Sequence, residues 1–265
     1  KSNLRQLKLS LGRYLAILAI VALGIAFFAG LKAAQPSMLR TGEDYLHETS
    51  FYDYRLISTL GLTQEDVDSF AAQAGVAAAE GVFSADFTAD AGERELTLKA
   101  LTLPQQVNTP KLVSGRMPEA PGECLADANR FSDADLGQTL TVTKTSLADA
   151  FTVRELTIVG RCESPLYLGV DRGTTSLGGG SLNGFVLLPA ESFAPDYFTE
   201  IYLTVAEADE LELYSDEYTA AVSSMSAPLK ELLEKRAALR YDSIIGDARA
   251  QLADAQKAYE DGRAT

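Results

Sequence analysis

Residues Tyr14 to Leu31 read YLAILAIVALGIAFFAGL, a run of 18 residues without a formally charged side chain. As an α-helix this run is about 27 Å long, close to the roughly 30 Å thickness of the hydrocarbon core of a bilayer. A backbone inside lipid must satisfy its own hydrogen bonds, so a segment that crosses a bilayer here is helical. The run therefore predicts one transmembrane helix over residues 14–31.

The charges around this run predict its orientation. Four basic residues precede it, whereas the first acidic residue of the chain is Glu43. The basic residues are Lys1, Arg5, Lys8 and Arg13. Because positive charge is enriched on the cytoplasmic side of transmembrane helices, the N-terminus is expected inside the cell and everything after Leu31 outside it. A cleaved signal peptide is the alternative, but its apolar region is usually about 7–15 residues long and residues 29–34 match its small-x-small cleavage pattern poorly.

The segments on either side of the run carry predictions of their own. Three leucines ahead of it share one helical face, which predicts a cytoplasmic amphipathic segment over residues 1–13 that lies on the membrane. They are Leu4, Leu7 and Leu11. A frayed basic tail is an equally good interpretation of this pattern. Residues 32–49 are expected to continue as a juxtamembrane helix, with Pro36 near a break or a new start.

The composition argues against several functional classes. The chain has 23 basic and 37 acidic residues, and without the four basic residues ahead of the run the balance is 19 to 37, a net charge of −18. A domain of that charge repels nucleic acid and anionic lipid surfaces, so we expect no nucleic-acid partner. Two cysteines, Cys124 and Cys162, could form a disulfide outside the cell, and their spacing leaves this open.

No residue pattern points to catalysis. His47 is the only histidine of the chain, and no cysteine lies near it, so we expect no metal site. The chain has no G-x-S-x-G motif, and Gly178–Gly180 lacks the Lys and Ser/Thr that follow in a phosphate-binding loop. The acidic pairs Glu65–Asp66 and Asp133–Asp135 are expected on the solvated surface rather than as acid–base dyads. We therefore expect a protein that is not an enzyme, with no catalytic residue and no cofactor.

Hydrophobic periodicity predicts one extracytoplasmic α+β domain over residues 50–235. Runs of alternating, β-branched or aromatic residues predict short strands. Thr63 and Asp66 have the T-x-x-D spacing of a helix N-cap, with Gly75 at the end of that helix. A second helix is expected over 216–233. The predicted strands cover 52–58, 76–87, 95–103, 123–126, 139–144, 151–162, 185–188 and 200–205.

The middle of this domain differs from its two ends. From about residue 111 to residue 190 the chain is rich in short strands, Pro and Gly, with a flexible loop expected over 173–184. The helix-containing pattern returns after this segment. One domain split by a mostly β insertion at about 111–190 explains the order better than two sequential domains.

Residues 236–265 predict the start of a coiled-coil arm. Seven residues repeat with spacings of three and four, the a/d pattern of a heptad, and charged residues occupy the other faces. They are Ala238, Tyr241, Ile245, Ala248, Leu252, Ala255 and Tyr259. The register is short and its core residues are small, so a strong isolated dimer is not expected, and packing of one amphipathic helix on the domain is the alternative. The chain does not begin with Met and ends in this helical pattern, so we expect a piece of a longer protein.

Several of these segments together resemble one protein family. Ser10–Met38 resembles the first transmembrane span of FtsX-like and MacB-like permeases of ABC transporters. Tyr54–Gly75 resembles the start of their extracytoplasmic core domain. Leu112–Asp127 resembles the G-R-x-P-x-x-x-G-E signature of the family, and the strands over 139–144 and 151–160 resemble its usual continuation. The final helix resembles the coiled-coil arm that Firmicute-type members insert in this region.

The signature has a physical interpretation beside the family one. Its residues are Gly115, Arg116, Pro118, Gly122 and Glu123. The two glycines permit tight turns, and Pro118 fixes one φ angle. Arg116 and Glu123 could pair across the turn and pin the start of the β insertion. We therefore expect these five residues to be structural rather than ligand contacts.

The resemblance implies a non-catalytic permease subunit in the cell membrane. ATP hydrolysis would belong to a separate cytoplasmic ABC ATPase, and a second permease copy or half would complete the transporter. The outer domain would move with the membrane helices, to export a substrate or to regulate an envelope partner. The alternative from another class is a single-span sensor or binding protein with an extracellular domain and a coiled-coil signalling segment. A membrane-anchored hydrolase has no residues to support it.

Overall fold

The apolar run lies in α1 (Leu11–Glu48), a single helix of 38 residues. The computed structural model describes residues 11–92, 94–209 and 211–263, and the chain divides into two units, Lys1–Leu46 and His47–Thr265. By length and composition α1 can cross a membrane, and the residues of its most apolar stretch are exposed. The amphipathic segment predicted over 1–13 lies, except for its last three residues, outside the described part of the chain.

Pro36 does not break α1, although we expected a break or a new start there. A proline in a helix interior removes one backbone hydrogen bond, and a helix of this length keeps the others on both sides of it. The residues predicted as a transmembrane helix and as a juxtamembrane helix therefore form one continuous element.

The second unit contains the strands and the remaining helices. In chain order they are β1 (Tyr54–Leu62), α2 (Gln64–Ala71), β2 (Val76–Val82), β3 (Ser84–Ala91), β4 (Arg94–Thr102), β5 (Lys111–Gly115), β6 (Glu123–Asp127), β7 (Thr139–Thr145), β8 (Glu155–Glu163), β9 (Gly184–Leu188), β10 (Phe198–Val205), α3 (Asp216–Ser224) and α4 (Ser226–Arg263). The predicted α+β class is confirmed.

A three-stranded antiparallel sheet has the order β1-β10-β2. Successive residues of β10 point to opposite faces of this sheet. Ile201 and Leu203 pack with Phe70 of α2 and Leu229 of α4 on one face. Tyr202 packs on the other face, against side chains of the larger sheet. The small sheet is thus buried between helices and the second sheet.

The larger sheet is mixed and closes on itself. Its order is β5-β8-β6-β9-β4-β3-β7, and β7 also pairs with β8, which closes six strands into a barrel with β5 beside it. Phe87, Leu98, Leu140 and Ile158 are fully buried inside the barrel. Because alternate residues of each strand point inward, these positions form one continuous core.

Several boundaries differ from the sequence predictions. The strand predicted over 76–87 is β2 and β3, which belong to different sheets. The helix predicted over 216–233 is α3 followed by α4, with Met225 between them. The larger sheet contains β3 and β4 together with the strands of residues 111–190, since β4 pairs in parallel with β9, as in the pair Leu98 and Gly184. Local periodicity carries no information on such a distant pairing. The division of this unit into a core and an insertion stays a prediction.

The two cysteines are buried and free. Cys124 faces the barrel interior, whereas Cys162 lies on the opposite face, among the residues that contact the small sheet. The register of β6 and β8 places Cys124 opposite Ile158 and Cys162 opposite Asp127. Side chains on opposite faces of a sheet cannot form a disulfide unless the backbone moves. Burial raises the pKa of Cys124 to about 12 and raises the pKa of Cys162 as well.

Candidate binding cleft

The signature turn after β5 is an ion-paired loop. Gly115 has φ +81°, and its missing Cβ leaves room for the backbone of Val159 and Gly160. Arg116 donates from Nη1 to Oε2 of Glu123 at 2.7 Å, and its Nη2 donates to Oε1. The ion pair predicted between Arg116 and Glu123 is therefore confirmed.

Glu123 also shapes the loop between the two partners. Its Oε2 accepts the backbone N–H of Glu119 at 2.8 Å. The Arg116 guanidinium, together with this N–H, lowers the pKa of Glu123 to about 2. Gly122, with φ +86°, makes the turn that brings Glu123 back to Arg116. The arrangement fixes the position of Pro118 and Glu119. The expectation that the signature residues are structural rather than ligand contacts stays a prediction.

A cleft of about 560 Å³ lies beside this turn. Pro118 and Glu119 of the signature turn line it, and so does the turn Pro189–Glu191. Gln64 and Val67 of α2 also line it. This volume lies within the range of pockets that bind ligands in proteins, roughly 300–1,000 Å³.

Glu80 of β2 fixes a further lining segment of the cleft. Its carboxylate accepts three backbone N–H groups, from Gln105 at 2.6 Å, from Gln106 at 2.9 Å and from Val107 at 2.7 Å. Hydrogen bonds to an ionised acceptor are among the stronger ones in proteins, so this loop is firmly held. Sequence reasoning missed Glu80, since a glutamate within a strand of alanines carries no signal of the loop it binds.

The cleft is acidic. Glu119 and Glu191 are exposed in it, and Glu80 adds a third carboxylate whose oxygens bind the loop. No Lys or Arg is among the described residues that line it. A concave site lined by charges of one sign raises the local concentration of oppositely charged groups. The geometry therefore favours a ligand with positive charge.

A buried ion pair supports the barrel near the loop predicted to be flexible. Arg172 donates from Nε to Oδ2 of Asp127 at 2.5 Å and from Nη2 to Oδ1 at 3.0 Å, and each side chain is 1% exposed. The guanidinium also donates to the carbonyl of Gly169 and lies 5.6 Å from the ring centroid of Tyr167. Sequence reasoning missed this pair, because its partners are 45 residues apart.

The expectation that Glu65–Asp66 is a solvated pair is wrong for Asp66. Asp66 is 2% exposed. Its Oδ2 accepts the N–H of Thr63 at 2.7 Å in the predicted capping box, and its Oδ1 accepts Nε of Arg236 at 2.5 Å. Burial opposes the charge, yet these donors hold the pKa of Asp66 below its usual value. Asp133, in contrast, is exposed and pairs with Arg161.

Metal ligands do not cluster in the described residues. Within 11–92, 94–209 and 211–263, no group of three His, Cys, Asp or Glu could hold a metal ion. His47 lies in the last turn of α1.

Parts of three solved structures are similar to this chain. No model of a known protein family and no curated protein matches it. The extracellular domain of the noncanonic ABC-type transporter YknZ from Gram-positive bacteria is 12% identical, with a TM-score of 0.39 over 63% of this chain and 85% of that one. The periplasmic region of MacB from Actinobacillus actinomycetemcomitans is 14% identical, with a TM-score of 0.38 over 67% and 75%. A domain of a protein described as a permease from Porphyromonas gingivalis is 15% identical, with a TM-score of 0.37 over 68% and 71%.

Proposed function

We propose that the chain is a permease part of an FtsX/MacB-type ABC transporter, with α1 in the cell membrane and residues 47–263 outside the cytoplasm. The observation that carries this proposal is the uncharged run Tyr14–Leu31, which lies in one long exposed helix and leads into an acidic β-rich unit. The basic residues ahead of the run support a cytoplasmic N-terminus. The family resemblance of the signature turn supports the permease class.

In this proposal a partner ATPase in the cytoplasm hydrolyses ATP, and α1 transmits the resulting movement. Contacts at the start of the second unit support such coupling. The carbonyl of Thr49 accepts the N–H of Thr109 at 2.9 Å, and the carbonyl of Ser50 accepts the N–H of Asn108 at 2.9 Å. Lys111 lies 3.4 Å from the carboxylate of Glu48. The segment that follows α1 is therefore tied to a loop that leads directly to the residues held by Glu80.

In this proposal the movement transmitted by α1 serves to export a substrate or to regulate an envelope partner. A second permease copy or half completes the membrane part.

A single-span sensor with a coiled-coil signalling segment is the second candidate, and one observation favours it. Tyr241, Leu252 and Tyr259 of α4 are more than half exposed, so the predicted coiled-coil seam is open to a partner helix.

Cysteine labelling in intact cells tests the topology. Ser176→Cys introduces an exposed thiol in the second unit. Ser10→Cys introduces a thiol ahead of the apolar run in the sequence. A membrane-impermeant maleimide is expected to label Ser176→Cys in intact cells and Ser10→Cys only after lysis. The unmodified chain is the control, because Cys124 and Cys162 are buried. Labelling of Ser10→Cys in intact cells would overturn the orientation.

Co-purification tests the permease class against the sensor. The full chain with its natural downstream sequence is expected to retain an ABC ATPase in mild detergent. A downstream sequence with one further span and a cytoplasmic signalling domain, and no associated ATPase, would favour the sensor.

A further inference from the structure

We propose that the cleft binds an extended, basic segment of a partner polypeptide, which adds a strand to the free edge of β2. The proposal goes beyond the permease function and stands on the cleft alone. It would hold for a transporter and for a sensor.

β2 is an edge strand. It pairs with β10 on one side, and no other described strand pairs with it. In the part of the chain that the structure describes, the backbone groups of Ala77–Gly81 have no hydrogen-bond partner outside this ladder. Every second residue of an edge strand points its N–H and C=O outward, so a row of such groups is available for pairing.

The cleft runs along this edge. Ala79, Glu80 and Gly81 all line it, although consecutive residues of a strand point to opposite faces of the sheet. Val67 of α2 lines it from the helix side, and Leu103 lines it from the barrel side. A cavity lined by consecutive residues of a strand contacts both faces of the sheet, so it lies at the edge of that strand rather than over one face. The open backbone groups of β2 therefore face the cleft.

The other strand edges are protected. β7 pairs with β8 and closes the barrel, and β5 is short and begins with Lys111. The outer edge of β1 has an irregular register after Ile57, and Arg240 of α4 donates to the carbonyl of Leu60 at 3.2 Å. Proteins block exposed edges with charge, Pro, bulges or covering elements. β2 contains no Lys and no Pro, and the carboxylate of its one charged residue, Glu80, binds the backbone N–H groups of residues 105–107.

The backbone groups and carboxylates of the cleft indicate which kind of molecule binds there. A row of backbone donors and acceptors at strand spacing is complementary to another extended backbone, which a small cation does not supply. Glu119 and Glu191 lie exposed in the cleft, and no Lys or Arg is among the described residues of its lining. Arg116, outside the lining, interacts electrostatically with Glu119 but is paired with Glu123. The two glutamates therefore favour Lys or Arg side chains on that segment. The occupant is a polypeptide that is both extended and basic.

Peptide binding to the full chain in nanodiscs of zwitterionic lipid tests the proposal. The probe is a fluorescent peptide of about eight residues that alternates Lys and Val, a length that matches β2. Its binding is measured by anisotropy against empty nanodiscs. A second peptide has the same sequence with methylated backbone nitrogens, which keeps the charge and removes the N–H donors. Spermine serves as the small-cation competitor.

Two protein variants locate the site. Glu119→Lys with Glu191→Lys reverses the charge of the cleft. Glu207→Lys with Glu231→Lys makes the same change in net charge at exposed positions outside its lining. The cleft variant is expected to bind the peptide about tenfold more weakly, and the matched variant is expected to bind it as the unmodified chain does. The methylated peptide is also expected to bind about tenfold more weakly.

Three results would overturn the proposal. Equal binding of the methylated peptide excludes strand addition. Equal weakening by the two variant pairs excludes the cleft as the site. Spermine that binds as tightly as the peptide identifies a small cation as the occupant instead. None of these results bears on membrane topology or on the ATPase partner.

Discussion

At the scale of single residues, a few carboxylates hold this structure together by binding several donors at once. Glu123 binds Arg116 and one backbone N–H, and Glu80 binds three backbone N–H groups. Glu200 accepts Nε of Arg55 at 2.6 Å and the hydroxyl of Tyr202 at 2.5 Å. The Arg116 guanidinium and the N–H of Glu119 lower the pKa of Glu123, so the contacts of this carboxylate are linked to pH.

Glu123→Gln tests this linkage at the signature turn. The pKa of Glu123 falls from 4.5 to about 2 because of Arg116 and the N–H of Glu119. A lowered pKa in the folded state contributes stability above the unfolded pKa, and this contribution is lost as the pH falls from about 4.5 to about 2. The variant is expected to melt at a lower temperature than the unmodified chain near neutral pH and to lose less stability across that acidic window.

Thermal unfolding followed by circular dichroism between neutral pH and about pH 2 measures the difference. Glu231→Gln, at an exposed position on α4, is the control and should follow the unmodified chain. Parallel pH curves for Glu123→Gln and the unmodified chain would show that the ion pair contributes no pH-dependent stability.

Sequence reasoning found the contacts whose partners are close along the chain. Arg116 and Glu123 are seven residues apart within one turn, and Thr63 and Asp66 are three apart in a capping box, so both pairs could be predicted. Glu80 binds a loop 25 to 27 residues away, and Arg236 reaches Asp66 across 170. Such pairs depend on strand order, which periodicity does not determine.

At the scale of elements, α2 and α4 are joined by a buried ion pair. Arg236 donates to Oδ1 of Asp66 at 2.5 Å and to Oε1 of Glu65 at 2.9 Å, and the Asp66 side chain is 3% exposed. Asp66 is also the N3 residue of the α2 capping box, in which it accepts the N–H of Thr63. The Asp66 carboxylate therefore orders the start of α2 and also binds a side chain of α4.

Arg236→Ala is expected to destabilise the second unit by about 3 kcal/mol, because it leaves a buried carboxylate without its cationic partner. Hydrogen exchange should increase in α2 and in the first turns of α4, while the barrel strands keep their protection. Lys235→Ala, at an exposed neighbouring position, is the control. Unchanged exchange in α2 would show that Asp66 does not need Arg236 to cap the helix.

The helices and strands themselves could be predicted better than the way in which they pair and pack. The helix after Thr63 and most strands are present, because alternation and capping are local signals. The predicted strand over 76–87 did not reveal its division, since Phe83 continues the apolar pattern while the chain passes from one sheet to the other. The cleft could not be predicted, because it lies between residues that only the sheet order brings together.

At the scale of the whole second unit, the barrel and the small sheet share one apolar layer. Tyr202 of β10 is 3% exposed in this layer, where Leu125, Phe185 and Leu187 of the barrel are also buried. The ring centroid of Tyr52 lies 4.9 Å from that of Tyr202. Burial raises the pKa of the Tyr202 hydroxyl, which donates to Glu200. One side chain thus contributes both apolar contact and a buried hydrogen bond to this layer.

Tyr202→Ala is expected to cost about 3–5 kcal/mol and to separate the unfolding of the two sheets, because it removes a large side chain from the layer that joins them. Tyr202→Phe retains the ring and leaves Glu200 with one donor fewer, so it should cost about 1–3 kcal/mol without that separation. Tyr214→Ala, whose side chain is 77% exposed, is the control and should change stability by less than about 0.5 kcal/mol. Urea unfolding measures the free energy of unfolding of each variant, and hydrogen exchange measures the protection of each sheet. Equal loss of protection in β10 and in the barrel strands of Tyr202→Ala would show that the two sheets unfold as one cooperative unit, held together by contacts other than Tyr202.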